Sequence, residues 1–368
     1  MITFKRLPLY ISILLLFLGI LEDPVSTHAQ ENHSSIITTE ARVQRILEEK
    51  EISFDDGLQR YQKLELMLNT GEIIIVENGN IPSANVILVR DGDEVIVTMG
   101  INPEGKDVYY ITDVVRRKSL YALFALFVLL VVAVARRRGV LSLIGMGLSF
   151  AVVFSYMLPQ IKSGQDPIFT VFFATALIAP VTFILSHGWN KKTAVAIGST
   201  LITLLVTSLL AQYFIGSVRL TGFASEEAGF LETVSPHSIN MAGLLLAGII
   251  LGTLGILDDI TISQAAIAYQ LYDAQPKISF RELYRRTMDV GRDHIASLVN
   301  TLILVYTGAA LPLFLLFSES GRSFSEVVNY EMIAEEIVRT LVASIGLVLA
   351  VPITTILACI VLKKKILK

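Results

Sequence analysis

Cysteine is almost absent from this 368-residue chain; the only one is Cys359. A single thiol excludes a disulfide scaffold and any cysteine-based metal site. Histidine is also scarce, and the five present are too scattered to form a first-row metal site by local spacing. Charge is thin as well, at 17% of residues against 53% hydrophobic, where an ordinary soluble domain carries roughly 25% charged residues. That balance excludes a soluble enzyme or a disordered regulator and leaves a membrane protein. Catalytic signatures are missing too: there is no H-E-x-x-H, no G-x-S-x-G and no Walker G-x-x-x-x-G-K. The adjacent Asp258 and Asp259 lack the further acid that a metal–diphosphate site requires. The expectation is therefore a non-enzyme with no cofactor and no metal.

The net charge of −3 conceals a division along the chain. Of the 33 acids, 18 lie between Glu22 and Lys118, together with only 10 of the 30 basic residues. Before this acidic stretch, the N-terminus has Lys5 and Arg6, an apolar run over 7–21 and a small-residue Thr27-His28-Ala29, the build of a secretory signal over 1–29. It is read as a cleaved signal peptide or an uncleaved signal anchor, and either one exports the acidic stretch.

Residues 30–115 then show short alternating runs, YQKLELML, EIIIVE, NVILVR, EVIVTM and VYYIT, separated by NTG, NGNIP and RDGD. These separators supply the residues that tight turns need at positive φ. About five or six antiparallel strands without a helix-length pattern predict a small all-β domain, a barrel or OB-like, on the extracytoplasmic side.

From 119 to 368 the chain reads as an all-α membrane bundle of about seven transmembrane helices, over 120–135, 140–158, 168–185, 194–215, 239–257, 295–317 and 337–362. With the head outside, the cytoplasmic pieces collect 16 of the 20 basic residues beyond the head. This is the positive-inside bias, and it predicts a bacterial cell-membrane protein with a cytoplasmic C-terminus. Those bases are explained by topology, so no nucleic-acid partner is expected. Two connections are long. The exterior one, 216–238, has room for a small surface or re-entrant helix. The interior one is expected to hold a cytoplasmic amphipathic segment over 260–292, broken by Pro276, with Ser279 capping a second helix through Arg286.

Three segments of the last third, GTLGILDDITISQAAIAYQL, MDVGRDHIASLVNTLILVYTGAALPLFLL and EEIVRTLVASIGLVLAVPITT, resemble the YibE/F-like family of bacterial multi-pass membrane proteins. The resemblance extends over nearly the whole chain, head included. It implies a membrane location and a multi-pass fold, and it brings no substrate.

The site has to be read from residues. Gly252 and Gly255 share a helical face with Asp259 and Ser263 and allow close helix packing. Asp258 and Asp259 sit at the end of that apolar run, where a carboxylate needs a counter-charge, a cation or a proton. The other reading makes Asp259 a helix cap and leaves Asp258 solvated. Asp289, Asp293, Ser297, Asn300 and Thr301 form a polar stripe on the next span, serving either as interhelical hydrogen bonds of about 0.6 kcal/mol each or as a cation path. Glu335 and Arg339 stand at i, i+4 and can pair as a gate or brace. Pro180, Pro312 and Pro352 interrupt spans, and Pro312 and Pro352 also mark helix packing and bending points.

Two functions are expected from these residues. The first is a secondary transporter or ion-coupled export accessory that moves a small ion or proton through Asp258, Asp259, Asp293 and Asn300, with the lipid bilayer as its medium. The second is a non-transporting membrane scaffold whose exported β domain binds a protein partner.

Overall fold

The computed structural model describes residues 37–54, 57–83, 86–101, 107–234, 239–319 and 321–364. The expected signal over 1–29 lies outside them, as do Lys365 and Lys368. The chain divides into two compact units, Met1–Leu130 and Val131–Lys368.

The first unit holds a five-stranded antiparallel sheet: β1 (Ile37–Phe54), β2 (Gly57–Leu68), β3 (Ile73–Asn78), β4 (Glu94–Ile101) and β5 (Asp107–Val114), in the order β3-β2-β1-β4-β5. Its core follows the strand period of two, with Leu64, Leu66 and Leu68 of β2 facing Ile74 and Val76 of β3 and Val95 and Val97 of β4. The edge strands β3 and β5 also approach each other, so the sheet curls around this core.

Two sequence expectations are corrected in this unit. The long β1 was not among the anticipated runs, because register shifts at Val43/Arg45 and Ile46/Glu48 interrupt its alternation. The NVILVR run, conversely, joins no ladder: residues 86–90 are in no strand, and the buried Gln62 amide holds them instead. Gln62 donates to the Val89 carbonyl at 3.1 Å and accepts from the Val89 N–H at 3.0 Å. The turn expectation holds at Gly79, whose φ is +82° and where a Cβ would stand 2.2 Å from the Arg60 carbonyl oxygen.

From Arg117 on the chain is helical, and the first helix runs across the division at Leu130. Helix α1 (Arg117–Val152) continues through a π-turn into α2 (Leu158–Lys162). After it come α3 (Pro167–His187), α4 (Lys191–Val218), the short α5 (Glu226–Val234), α6 (Met241–Ala274), α7 (Phe280–Ala309), α8 (Leu311–Ser318), α9 (Phe324–Val327) and α10 (Glu331–Lys364). Side-chain caps start the long helices. Asp166, Asn190, Asn240 and Ser279 accept from Ile168, Thr193, Gly243 and Glu282 N–H groups at 2.8, 3.0, 3.0 and 3.2 Å.

Five helical stretches are long and apolar enough to cross a bilayer, among the described residues, with 117–162 taken as one. A sixth forms if α7 and α8, which meet at 68° beside Pro312, act as one broken span. The 117–162 stretch would extend about 69 Å as a straight helix, over twice the ~30 Å of hydrocarbon. It is not straight. Arg136 has φ 53° and ψ −128°, and a Cβ on Gly139 would lie 2.5 Å from the Val131 carbonyl oxygen. In a continuous helix these residues stand about 12 Å apart along the axis, so the chain folds back at Arg136.

Ser279 caps α7 as anticipated, but α7 does not end near Arg286; it runs unbroken to Ala309. Likewise α6 reaches Ala274 with Ile260, Gln264, Ala265 and Ala268 buried. The core is formed mainly where α4, α6 and α10 meet one another, with α3 and α7 packed around them.

A candidate functional site in the helical unit

Asp258 lies in the middle of α6, the helix that contacts α3, α4, α7 and α10. Its carboxylate is half-buried, and its Oδ1 is fully covered without a hydrogen-bond partner among the described residues. Burying such an oxygen unpaired is costly, so this position presents an unmet demand for a proton, a cation or a donor. Asp259 is exposed. It lies within electrostatic range of His187, which also senses Arg138 and Lys192.

Neither Asp293 nor Asn300 touches Asp258; Asp293 only shares its level along the helices. Gln264 Nε2 donates to the Thr287 carbonyl at 3.0 Å, which pins α6 antiparallel to α7. Six residues back from Gln264 is Asp258, and six on from Thr287 is Asp293, about 9 Å in each case. The two acids share one level of the pair. Asn300 lies two turns further along α7. Both Asp293 and Asn300 are exposed, in a row with Asp289, Ser297 and Thr301. Asp289 pairs with Arg292 at 2.7 Å, and Thr301 Oγ1 donates to the Ser297 carbonyl at 3.0 Å.

The anticipated i, i+4 pair forms on α10, with Arg339 Nη2 2.5 Å from Glu335 Oε1; Glu336 lies 3.9 Å from Arg339 Nε. Tyr306 of α7 is within electrostatic range of Arg339 and Glu336, and its hydroxyl would meet a Cβ on Gly252 at 3.7 Å. Gly252, Tyr306, Glu336 and Arg339 thus bring α6, α7 and α10 together. Gly255 faces no neighbour: a Cβ there meets nothing within 4 Å. Pro312 opens α8 at the bend, and Pro352 is half-buried within α10.

Sequence reasoning missed cross-helix contacts of the bundle that involve uncharged residues. Gln264, fully buried, donates to Thr355 Oγ1 of α10 at 2.8 Å as well as to Thr287. Thr200 of α4 meets Thr261 of α6 at 2.9 Å between hydroxyl oxygens. Gly291 and Gly346 make this approach possible, since Cβ atoms there would stand 2.4 Å from Val351 Cγ1 and 2.6 Å from Thr207 Oγ1. A signal was present in the sequence: Thr193, Thr200, Thr203 and Thr207 repeat at helical spacing along one face of α4. The search for charges passed over it.

No group of three or more His, Cys, Asp or Glu side chains that could hold a metal ion exists among the described residues. The helices bearing Asp258, Gln264, Asp293 and Arg339 all fall within one family model, described as YibE/F-like protein, which matches residues 123–364. The chain belongs to the YibE/F-like family. The matched region takes in nearly all of the helical part, whereas the β-sheet of this YibE/F-like chain precedes it, so the shared part is shorter than the motifs suggested. No curated protein and no solved structure matches the chain.

Proposed function

We propose that this YibE/F-like protein is a secondary transporter, or an ion-coupled export accessory, whose carrying group is Asp258. The observation that bears the reading is the covered Oδ1 of Asp258, without a partner among the described residues, on a helix packed by four others. A carboxylate in that position can take and release a proton or small cation as its neighbours move. Asp259 is its neighbour in the chain, Asp293 lies at the same level on α7, and Glu335 with Arg339 braces the far half of α10. The bend of 68° between α7 and α8 beside Pro312 provides a joint for the motion.

The placement we favour is seven spans in a bacterial cell membrane, counting the fold-back at Arg136 as a boundary between two. The head then lies outside as an OB-like barrel, for which the order β3-β2-β1-β4-β5 and the approach of β3 to β5 speak. The positive-inside distribution supports this orientation. The test is proton flux into proteoliposomes containing the full chain. Asp258→Asn is expected to lower flux at least tenfold and Asp293→Asn to lower it less; unchanged flux in Asp258→Asn sinks the reading.

A second reading, a scaffold whose exported domain binds a protein partner, draws on one feature of the head. Ile73 and Ile75 of the edge strand β3 are 61% and 59% exposed. Side-by-side apolar residues on an edge strand are a common docking element.

A further inference from the structure

We infer that the seam where α4, α6 and α10 meet is a hydrated file that carries protons between Asp258 and the two ends of the bundle. This rests on the transport reading above and names its coupling species and route. The route does not run along the exposed polar stripe of α7.

Five buried polar side chains along this seam have an atom without a hydrogen-bond partner among the described residues: Thr193 and Thr203 of α4, Gln264 of α6 through its Oε1, and Ser344 and Thr354 of α10. Ser344 is 7% exposed and the others 1% or less. In an apolar bundle most threonine hydroxyls satisfy themselves on the carbonyl one turn back, as Thr207, Thr253, Thr261 and Thr355 do here. The hydroxyls of Thr203, Ser344 and Thr354, all well inside their helices, do not.

Their positions are set by the cross-helix contacts. The Thr200–Thr261 contact pins α4 antiparallel to α6 and sets Thr203 level with Asp258. The Gln264–Thr355 bond pins α6 parallel to α10 and sets Ser344 level with Thr253. From Thr193 to Thr207 the polar face of α4 covers 14 residues, or about 21 Å. A single dehydrated cation would gather its oxygens within one coordination shell of about 2.3–2.6 Å radius. Groups strung over most of a bilayer's thickness fit a row of waters instead. Hydroxyls both donate and accept, and each water needs two to four such partners. Asp258, three residues before Thr261 on the same side of α6, is the titratable group on this row.

Cysteine accessibility tests the hydration. In a Cys359→Ser background, the near-isosteric Thr203→Cys, Ser344→Cys and Thr354→Cys are made one at a time in the full chain in proteoliposomes. They are treated with a small water-borne methanethiosulfonate. The expected rates are at least tenfold above those of Ala211→Cys and Ala350→Cys, which are equally buried but apolar. The combined variant Thr203→Val, Thr354→Val and Ser344→Ala is expected to lower proton flux at least tenfold. Seam positions as unreactive as the apolar controls overturn the inference, as does full flux in the combined variant. If that occurs while Asp258→Asn still abolishes flux, transport through the carboxylate stands and its route lies elsewhere. If the seam positions react but Asp258→Asn leaves flux intact, the file is hydrated and the carboxylate reading is the one that fails.

Discussion

The side-chain nitrogen of Gln264 bonds the Thr355 hydroxyl at 2.8 Å and the Thr287 carbonyl at 3.0 Å, so one buried amide joins α6, α7 and α10. A single side chain that ties three helices constrains them more than two separate pairs would. Gln264→Leu keeps most of the volume but removes both bonds and leaves the Thr287 carbonyl without this donor. The expected loss is about 1–2 kcal/mol, seen as a fall of a few degrees in the thermal midpoint in detergent. An unchanged midpoint would show that the junction contributes only packing.

Two glycines in the same bundle should respond oppositely to alanine. At Gly291 a Cβ would lie 2.4 Å from Val351 Cγ1 and 2.8 Å from Gln264 Nε2, so Gly291→Ala must force α6, α7 and α10 apart. About 1–3 kcal/mol of stability should be lost. At Gly255 a Cβ meets nothing within 4 Å, and Gly255→Ala should be neutral or stabilising by up to about 1 kcal/mol. Comparing thermal midpoints of the two variants decides this; equal effects would contradict the packing described.

Arg136 holds a positive φ of 53° without being glycine. Relieving that backbone strain should stabilise the fold-back between the two halves of α1, so Arg136→Gly is expected to raise stability by up to about 1 kcal/mol, whereas the β-branched Arg136→Val should lower it. Limited proteolysis at Arg137 and Arg138 reads the difference, with slower cutting expected in Arg136→Gly.

Acid should loosen the base of the head. Lys118 beside Glu94 and Arg116 beside Asp113 hold both carboxyls below their usual range, chiefly through side-chain hydrogen bonds. For acids depressed in the folded state, the stabilisation is complete above the unfolded pKa and disappears as pH falls through the lower folded one. Hydrogen exchange at 113–118, corrected for intrinsic rate, should therefore stay constant from neutral pH to about 5 and accelerate below the ordinary carboxylate range of about 4. Both pairs are exposed, so the change should be small and should shrink in high salt. Acceleration near neutral pH would assign the effect to other groups.

Much of the fold was legible before any coordinates. Apolar run lengths gave the helices, and period-two alternation gave β2, β3, β4 and β5. The cap at Ser279 and the pair Glu335–Arg339 depend on spacings of three or four residues, so they are local properties of the chain. Long β1 was not legible, because its bulges break the alternation by which a strand is recognised.

The sequence by itself determined the apolar multi-helix class, the acidic head and basic helical body, and a short list of acids on or beside the apolar helices. Composition, run length and charge sign are properties of segments and need no folding to be read. Tertiary structure alone decided which polar residues meet. It left Asp293 and Asn300 on an outer face, covered one oxygen of Asp258, and drew Gln264, Thr287 and Thr355 into one contact from positions as much as 91 residues apart. Hydroxyl and amide side chains carry little weight in hydropathy, so only the helix registers, fixed by Gly291 and Gly346, could show which of them meet.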